Sequence, residues 1–361
     1  MPCGETLRTL RHSDDFRMSS LNAEEQTAEE AKLREQVRMS EFMEFERFLG
    51  CTFEYINSKT GKPDSKGTLV LVRQREKIAE MRDKFRHLHD EYNPNNRLRK
   101  VPLPLTAIRQ DDELDGELGE LLDDQKKGDF QSLVGCGGWV AGSTRPDVKL
   151  GCFVISQRLS APRVWDMFLA VWVMDYLVGT IDAPLVLGGD IIDPEVHADA
   201  SFATLKERRS LVAHLATTGT GSGAIYAHVG ATKCAVSSVW EAEIVAGCES
   251  VDTAVYLTSV CNELRYPVDG CRRVRVDNQA EVDWFSGSAP SRRSRHIDIK
   301  YYRAKHQHEG GAVSIEFIGT EDNVADILTK PLPVEVFRKH ARTILGHELI
   351  AGLGILGEII L

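Results

Sequence analysis

The order of short apolar stretches between Val196 and Ile318 constrains the fold more than any other feature of this 361-residue chain. Val196 to Ala203, Leu211 to Thr217 and Gly223 to Val229 read as three strands in quick succession. Ser237 to Leu264 then carries a helical pattern, Arg273 to Val276 reads as a fourth strand, and two helical segments run to about His308. A fifth strand follows at Ala312 to Ile318. In the fourth strand the period is two, so Val274 and Val276 face one side and Arg273 and Arg275 the other. Three strands, helix, strand, helices, strand, helix predicts a mixed α/β sheet with flanking helices, beginning near Ile191.

Four acids occupy particular points in that order. Asp199 lies in HADASFA, where it ends an apolar stretch, and Asp277 follows the fourth strand in VRVDNQAEV. Glu243 lies in the long helical pattern, in SSVWEAEIVAG, and Asp326 in TEDNVADILTK. Two divalent ions about 4 Å apart need several hard oxygen ligands, and strand-end carboxylates supply them. Each acid has a plainer reading. A surface strand-end aspartate would look like Asp199, and Asp277 would also serve as a helix N-cap. Glu243 competes with Glu241, about 200° around the helix and expected to be the more exposed of the two. Asp326 competes with Asp322 and Glu321, and an ordinary acid in a first helical turn would look the same.

The preceding half is organised differently. Residues 1 to about 40 are polar and acid-rich, which predicts a disordered or singly helical arm. Phe48 to Ile56 and Gly67 to Arg73 read as strands around a turn at residues 58–64, followed by a helix from Gln74 to His89. A proline-bearing segment and an acidic stretch lead to a further helix, Ala161 to Leu177. The adjacent acids Asp14-Asp15, Asp111-Asp112 and Asp123-Asp124 sit in polar surroundings and read as solvated charge.

Composition narrows the class. A hydrophobic content of 42% with 27% charged residues is that of a globular protein with ample chain for a core. The net charge of -10 means that any affinity for phosphates must come from local patches. The run Arg292, Arg293, Arg295, His296, Lys300, Arg303, Lys305 is the candidate patch, although a solvated helix face has the same composition. His306 and His308 read as a polar helix end. The eight cysteines show no C-x-x-C and no paired spacing, so neither a zinc site nor a disulfide framework is indicated. No signal-peptide pattern is present at the N-terminus, and the longest uninterrupted apolar run, Met167 to Met174, is too short to span a bilayer. The expectation is an intracellular protein, cytoplasmic or nuclear, with no membrane partner. The apolar tail LIAGLGILGEIIL is expected to pack on the fold.

The stretch from HADASFA to DILTKPLP resembles the ribonuclease H domain at the C-terminal end of copia-type retrotransposon Pol polyproteins, most specifically in SRRSRHIDIKYY and GTEDNVADILTKPLP. Upstream, ERFLGCTFEY, QREKIAEMRDKF, VPLPLTA and DFQSLVGCGGWVAGSTRPDV are similar, in the same order, to segments following the polymerase active site of that family. The resemblance covers residues 41 to about 346. It implies a polar arm (1–40), the end of a reverse transcriptase with palm end, thumb and connection (41–190), a ribonuclease H-like domain (191–346) and an apolar tail (347–361). The chain holds no Tyr-x-Asp-Asp-like sequence, so the polymerase's own magnesium site is not expected.

The implied activity is hydrolysis of the RNA strand of an RNA–DNA hybrid with two ions, Mg2+ or Mn2+. The implied ligands are Asp199, Glu243, Asp277 and Asp326, and the partner beyond the hybrid is the rest of a Pol polyprotein. Neutral groups beside the acids, Ser201, Asn278 and Gln279, are candidates for reading the 2′-hydroxyl across the minor groove. Arg292, Arg293, Arg295, His296 and Lys300 are candidates for phosphate contact. Two rival readings are a catalytically inactive nucleic-acid-binding remnant and another nuclease of the same fold, such as an integrase or a junction resolvase.

Overall fold

The computed structural model describes residues 8–12, 15–19, 23–36, 47–64, 68–108, 118–188, 193–219, 221–264, 272–287 and 295–355, with 8–12, 15–19, 295–300 and part of 23–36 described by backbone alone. β1 (Arg8–His12) and β2 (Asp15–Ser19) pair antiparallel, a ribbon that the composition of the arm did not suggest. α1 (Ala23–Gln36) follows as the polar helix expected there.

A four-stranded antiparallel sheet comes next, built from β3 (Arg47–Phe48), β4 (Cys51–Ile56), β5 (Leu69–Arg73) and β6 (Leu185–Gly188) in that order. The expected single strand over Phe48 to Ile56 is a tight hairpin, because Leu49 and Gly50 both take positive φ. Between β5 and β6 lie α2 (Arg75–Lys84), α3 (Arg86–Tyr92), α4 (Asp124–Ser143), α5 (Lys149–Ser156) and α6 (Val164–Gly179). The helix expected from Gln74 to His89 breaks at Phe85, whose ring is fully buried. Asp123 caps α4 by accepting from the Lys126 N–H, so it is a helix cap and not free charge.

The second sheet holds β7 (Glu195–Ser201), β8 (Leu211–Thr217), β9 (Ala224–Ala231), β10 (Arg272–Val276) and β11 (Val313–Phe317). Its order is β11-β10-β7-β8-β9, antiparallel through β7, β8 and β9 and parallel from β7 to β10 and β11. This is the mixed five-stranded sheet of ribonuclease H type expected from the sequence. α7 (Val239–Glu263) links β9 to β10 and packs across β7, β8 and β10; α8 (Gln279–Phe285) and α9 (Arg295–Glu309) link β10 to β11. α10 (Val334–Ile344) follows a short 3-10 helix, Val324–Leu328.

β8 explains how the two halves join. Its residues LVAHLAT are buried on both faces. Val212 and Ala216 point to the α7 side with Val196, Ala198, Ala200, Val274 and Val276. Leu211, Ala213 and Leu215 point the other way, into one continuous core with α4, α5 and α6. The C-terminal segment ties the halves further: the Val186 N–H donates to Leu345 O and the Gly223 N–H to Val186 O, each at 2.8 Å. Gly346 has a φ of 71° there, and a Cβ would lie 2.2 Å from Val186 O, so only glycine fits. Ile350 is buried against Ile56, Leu69, Leu71 and Val186, which places the start of the apolar tail on the first sheet.

Among the described residues α7 alone is long and apolar enough to cross a membrane. It is instead the core helix of the second sheet, with Glu241 and Glu243 buried on it. Of the aromatic residues of the helical half, Trp165 stacks on Phe168 at 5.0 Å and Phe153 packs against the core. Trp139 remains 49% exposed.

Candidate active site

β7 and β10 are adjacent and parallel, but they pair only from Glu195/Arg273 to His197/Arg275. Beyond that pair β10 ends at Val276 while β7 runs on to Ser201, so the strands part. From β7 the chain turns to β8 on one side, and from β10 to β11 on the other. A crevice at the carboxyl ends of parallel strands, where the connections diverge, is where open α/β sheets hold ligands.

Three acids meet in this crevice. Asp199 lies inside β7, two residues before its end and not at the end as expected, and Asp277 leaves β10 directly. Glu243 projects from the first turns of α7 toward the Ala200 backbone of β7. The ligand oxygens of Asp199, Glu243 and Asp277 lie within 4.8 Å of one another. Glu241, expected to be exposed, is buried; its carboxylate accepts from the Ser237 N–H and hydroxyl at the start of the helix. Asn278 and not Asp277 caps α8, accepting from the Ala280 N–H.

Asp326 sits beside this trio without joining it. Its carboxylate accepts from Lys330 Nζ at 2.8 Å, and the same ammonium lies 3.4 Å from Asp199. The Thr329 hydroxyl also donates to Asp199. Asn323 donates to Ala198 O at 2.9 Å and so pins the short helix carrying Asp326 to β7. Asp322, the competing acid, is exposed and paired with Lys339. Lys330 and Thr329 are members of the site that the sequence reading missed. Their signal was present, since positions three and four after Asp326 share its helical face.

Burial and mutual repulsion set the electrostatics. Desolvation pushes the Asp199 carboxyl up to about 7, with Lys330 and the Thr329 hydroxyl opposing and Asp326 and Asp277 adding to the rise. Desolvation and then the charges of Asp199 and Asp277 push Glu243 up to about 8. Three carboxylates this close, with one lysine on one side, make a site short of positive charge. Their oxygens fit a hard divalent cation, which takes carboxylate ligands and would relieve both terms.

The remaining candidates are distributed unevenly. Ser201 is half-buried at the end of β7, and Gln279 spends its amide on Asp283 at 2.9 Å. Arg292 and Arg293 lie outside the described residues, and for Arg295, His296 and Lys300 only the helical backbone of α9 is described. One member of the basic run is withdrawn from solvent, and another is exposed but paired. Lys305 is buried with its ammonium 5.1 Å over the Trp284 ring, and Arg303 pairs with Asp252. His308 Nδ1 lies 3.1 Å from the Val313 carbonyl, which ties the end of α9 to β11.

No protein-family model matches the chain. The retrovirus-related Pol polyprotein from transposon TNT 1-94 of Nicotiana tabacum is 29% identical over 213 residues, 58% of this chain and 16% of that protein. The corresponding polyprotein from transposon RE1 of Arabidopsis thaliana is 25% identical over 221 residues, 60% of this chain and 15% of that protein. A Gag-Pol polyprotein of transposon Ty1-ER2 of Saccharomyces cerevisiae is 23% identical over 287 residues, 72% and 16% respectively. Its homologues are retrovirus-related Pol polyproteins. The chain spans about one sixth of the length of these relatives.

Among solved structures, the N-terminal RNase H domain of rv2228c from Mycobacterium tuberculosis is 17% identical and covers 42% of this chain and 97% of that one, with a TM-score of 0.29. LC11-RNase H1 in complex with an RNA/DNA hybrid is 16% identical and covers 38% and 93%, with a TM-score of 0.31. At such scores the fold assignment rests on the strand order and register given above.

Proposed function

We infer that this chain is a metal-dependent hydrolase of the RNA strand in RNA–DNA hybrids, the ribonuclease H part of a copia-type Pol polyprotein. The observation that carries this reading is the meeting of Asp199, Glu243 and Asp277 within 4.8 Å at the divergence of β7 and β10. The likeness of the chain to retrotransposon Pol polyproteins supports it.

Asp199, Glu243 and Asp277, with Asp326 at the flank, would hold two Mg2+ or Mn2+ ions. Bound there, such ions supply Lewis-acid activation of water and neutralise the charge on the departing 3′ oxygen. The chain's own residues do the rest. Asp199 is held in place by the Thr329 hydroxyl and by the Ala198 carbonyl's bond to Asn323. Lys330 bridges Asp199 and Asp326, balances part of their charge, and would present its ammonium to a substrate phosphate. Ser201, Asn278 and Gln279, neighbours of the acids in sequence, would read the 2′-hydroxyl, the feature that separates RNA from DNA, Gln279 in exchange for its bond to Asp283. The basic run Arg292, Arg293, Arg295, His296 and Lys300 would take the backbone phosphates.

Substrate choice tests this reading. The full chain is incubated in Mg2+ or Mn2+ with an end-labelled RNA–DNA hybrid, duplex RNA, duplex DNA and a four-way DNA junction. Cleavage confined to the RNA strand of the hybrid is expected. Junction cutting or DNA strand transfer would point to another enzyme of this fold, and hybrid binding without cleavage would mean an inactive remnant.

A further inference from the structure

A fourth uncompensated acid lies directly behind the trio. Glu281, on α8, is 1% exposed, and its Oε1 has no hydrogen-bond partner. α8 begins just after Asp277, so Glu281 stands one helical turn beyond that ligand. Gly247 stands one turn beyond Glu243 on α7. A Cβ on Gly247 would lie 1.9 Å from Glu281 Oε1, so the carboxyl occupies the space that the missing side chain leaves open. The two elements that bring Asp277 and Glu243 together therefore meet again one turn deeper, as Glu281 against Gly247. The charges acting most strongly on Glu281 are Glu243, Asp277 and Asp199, in that order, and all three are negative. Glu281 Oε1 is thus buried with no hydrogen bond and beside negative charges alone, an arrangement that a folded chain disfavours. An ordinary structural acid would have a basic partner, as Asp147 has Arg145.

We propose that Glu281 is a further carboxylate of the divalent-cation site, set beneath Glu243 and admitted by the absence of a side chain at Gly247. This rests on the reading of Asp199, Glu243 and Asp277 as cation ligands. Glu281 is a positioning and charge-supplying residue: it adds a carboxylate to the acids facing a hard cation, and it needs Gly247 to do so. Asp326, by contrast, has part of its charge met by Lys330 already.

The test is a titration of Mn2+ into the full chain without nucleic acid, read from the electron-paramagnetic-resonance signal of free Mn2+. Glu281→Gln keeps the shape and removes the charge; it should weaken Mn2+ binding by about 10- to 100-fold, as loss of a supporting carboxylate does at metal sites. Gly247→Ala changes no charge but displaces the Glu281 carboxyl, and it should weaken Mn2+ binding in the same direction. If both variants bind Mn2+ as the wild type does while Asp277→Asn does not, Glu281 is outside the cation site and the nuclease reading stands. A wild-type chain that binds no Mn2+ would remove both.

Discussion

Two groups of charge are buried in this protein, and they are built in opposite ways. In the helical half, the Arg145 guanidinium meets both Asp147 oxygens at 2.9 and 2.7 Å and bonds the Thr180 carbonyl and hydroxyl. The Tyr176 hydroxyl donates to the same Asp147 oxygen. Every charge there has its counterpart within the chain, and Asp147 holds the Arg145 charge in place although the pair is sealed from water. In the sheet half, Asp199, Glu243 and Asp277 have one lysine on one flank, and Glu281 faces only their negative charges. The first group closes on itself and needs nothing further. The second is incomplete as a structural device, and that incompleteness is what marks it as a site.

The sharpest break of this comparison is Arg145→Met. Removing one partner strands Asp147 in the core, and the urea midpoint should report a loss of about 3–5 kcal/mol that no cation restores. A loss below about 1 kcal/mol would mean that the network is not closed as described.

The acid group should behave in the reverse sense. The Asp199 and Glu243 carboxyls lie near 7 and 8 in the folded chain against ordinary values of 3.8 and 4.5. The folded state therefore binds their protons more tightly than the unfolded state does. Stability in EDTA is highest below about pH 4 as far as these groups are concerned, and it falls as pH rises through about 8. Asp199→Asn should flatten that fall, and millimolar Mg2+ should offset it in the wild type at pH 8. Melting temperatures across pH 5–9, with and without the ion, check both statements.

Lys330→Met is a smaller test of the same asymmetry. Its side chain is 40% exposed, so the loss in EDTA should stay near 1 kcal/mol at most. Mn2+ should remove the difference from the wild type, because the ion takes over the balancing of Asp199. Trp139→Ala should change stability by less than about 0.5 kcal/mol, since the exposed ring belongs to neither group.

The sheet half was legible in the sequence where burial is one-sided or period-two. β8 spans the expected Leu211 to Thr217, and Val274 and Val276 alternate with Arg273 and Arg275 on β10 as the pattern required. The helical half was harder to read. α4 carries Gly128, Gly135, Gly137, Gly138 and Gly142, residues that disfavour a helix, and it is held by packing, with Gly137 allowing the Cys152 sulfur close. β6 has four residues and becomes a strand only by pairing with β5, more than a hundred positions earlier. At the site, Asp199, Glu243 and Asp277 were singled out by their local contexts together with the family resemblance, and the structure brings the three together. Glu281 was not, since A-E-V inside a helix looks like any surface turn until Gly247 is seen across from it. Glu241 misled for the same reason: its contact with Ser237 is a local cap that hides it, and helical angle alone does not show it.

The central claim is that the unbalanced acids exist to hold divalent ions for cutting RNA. Release of labelled RNA fragments from an RNA–DNA hybrid by the full chain in Mg2+ or Mn2+, in EDTA, and by Asp277→Asn tests it most directly. Cleavage with either ion, none in EDTA, and a loss of about two to three orders of magnitude in the variant are predicted. Cleavage that persists in EDTA or in Asp277→Asn, or that appears with neither ion, would contradict it.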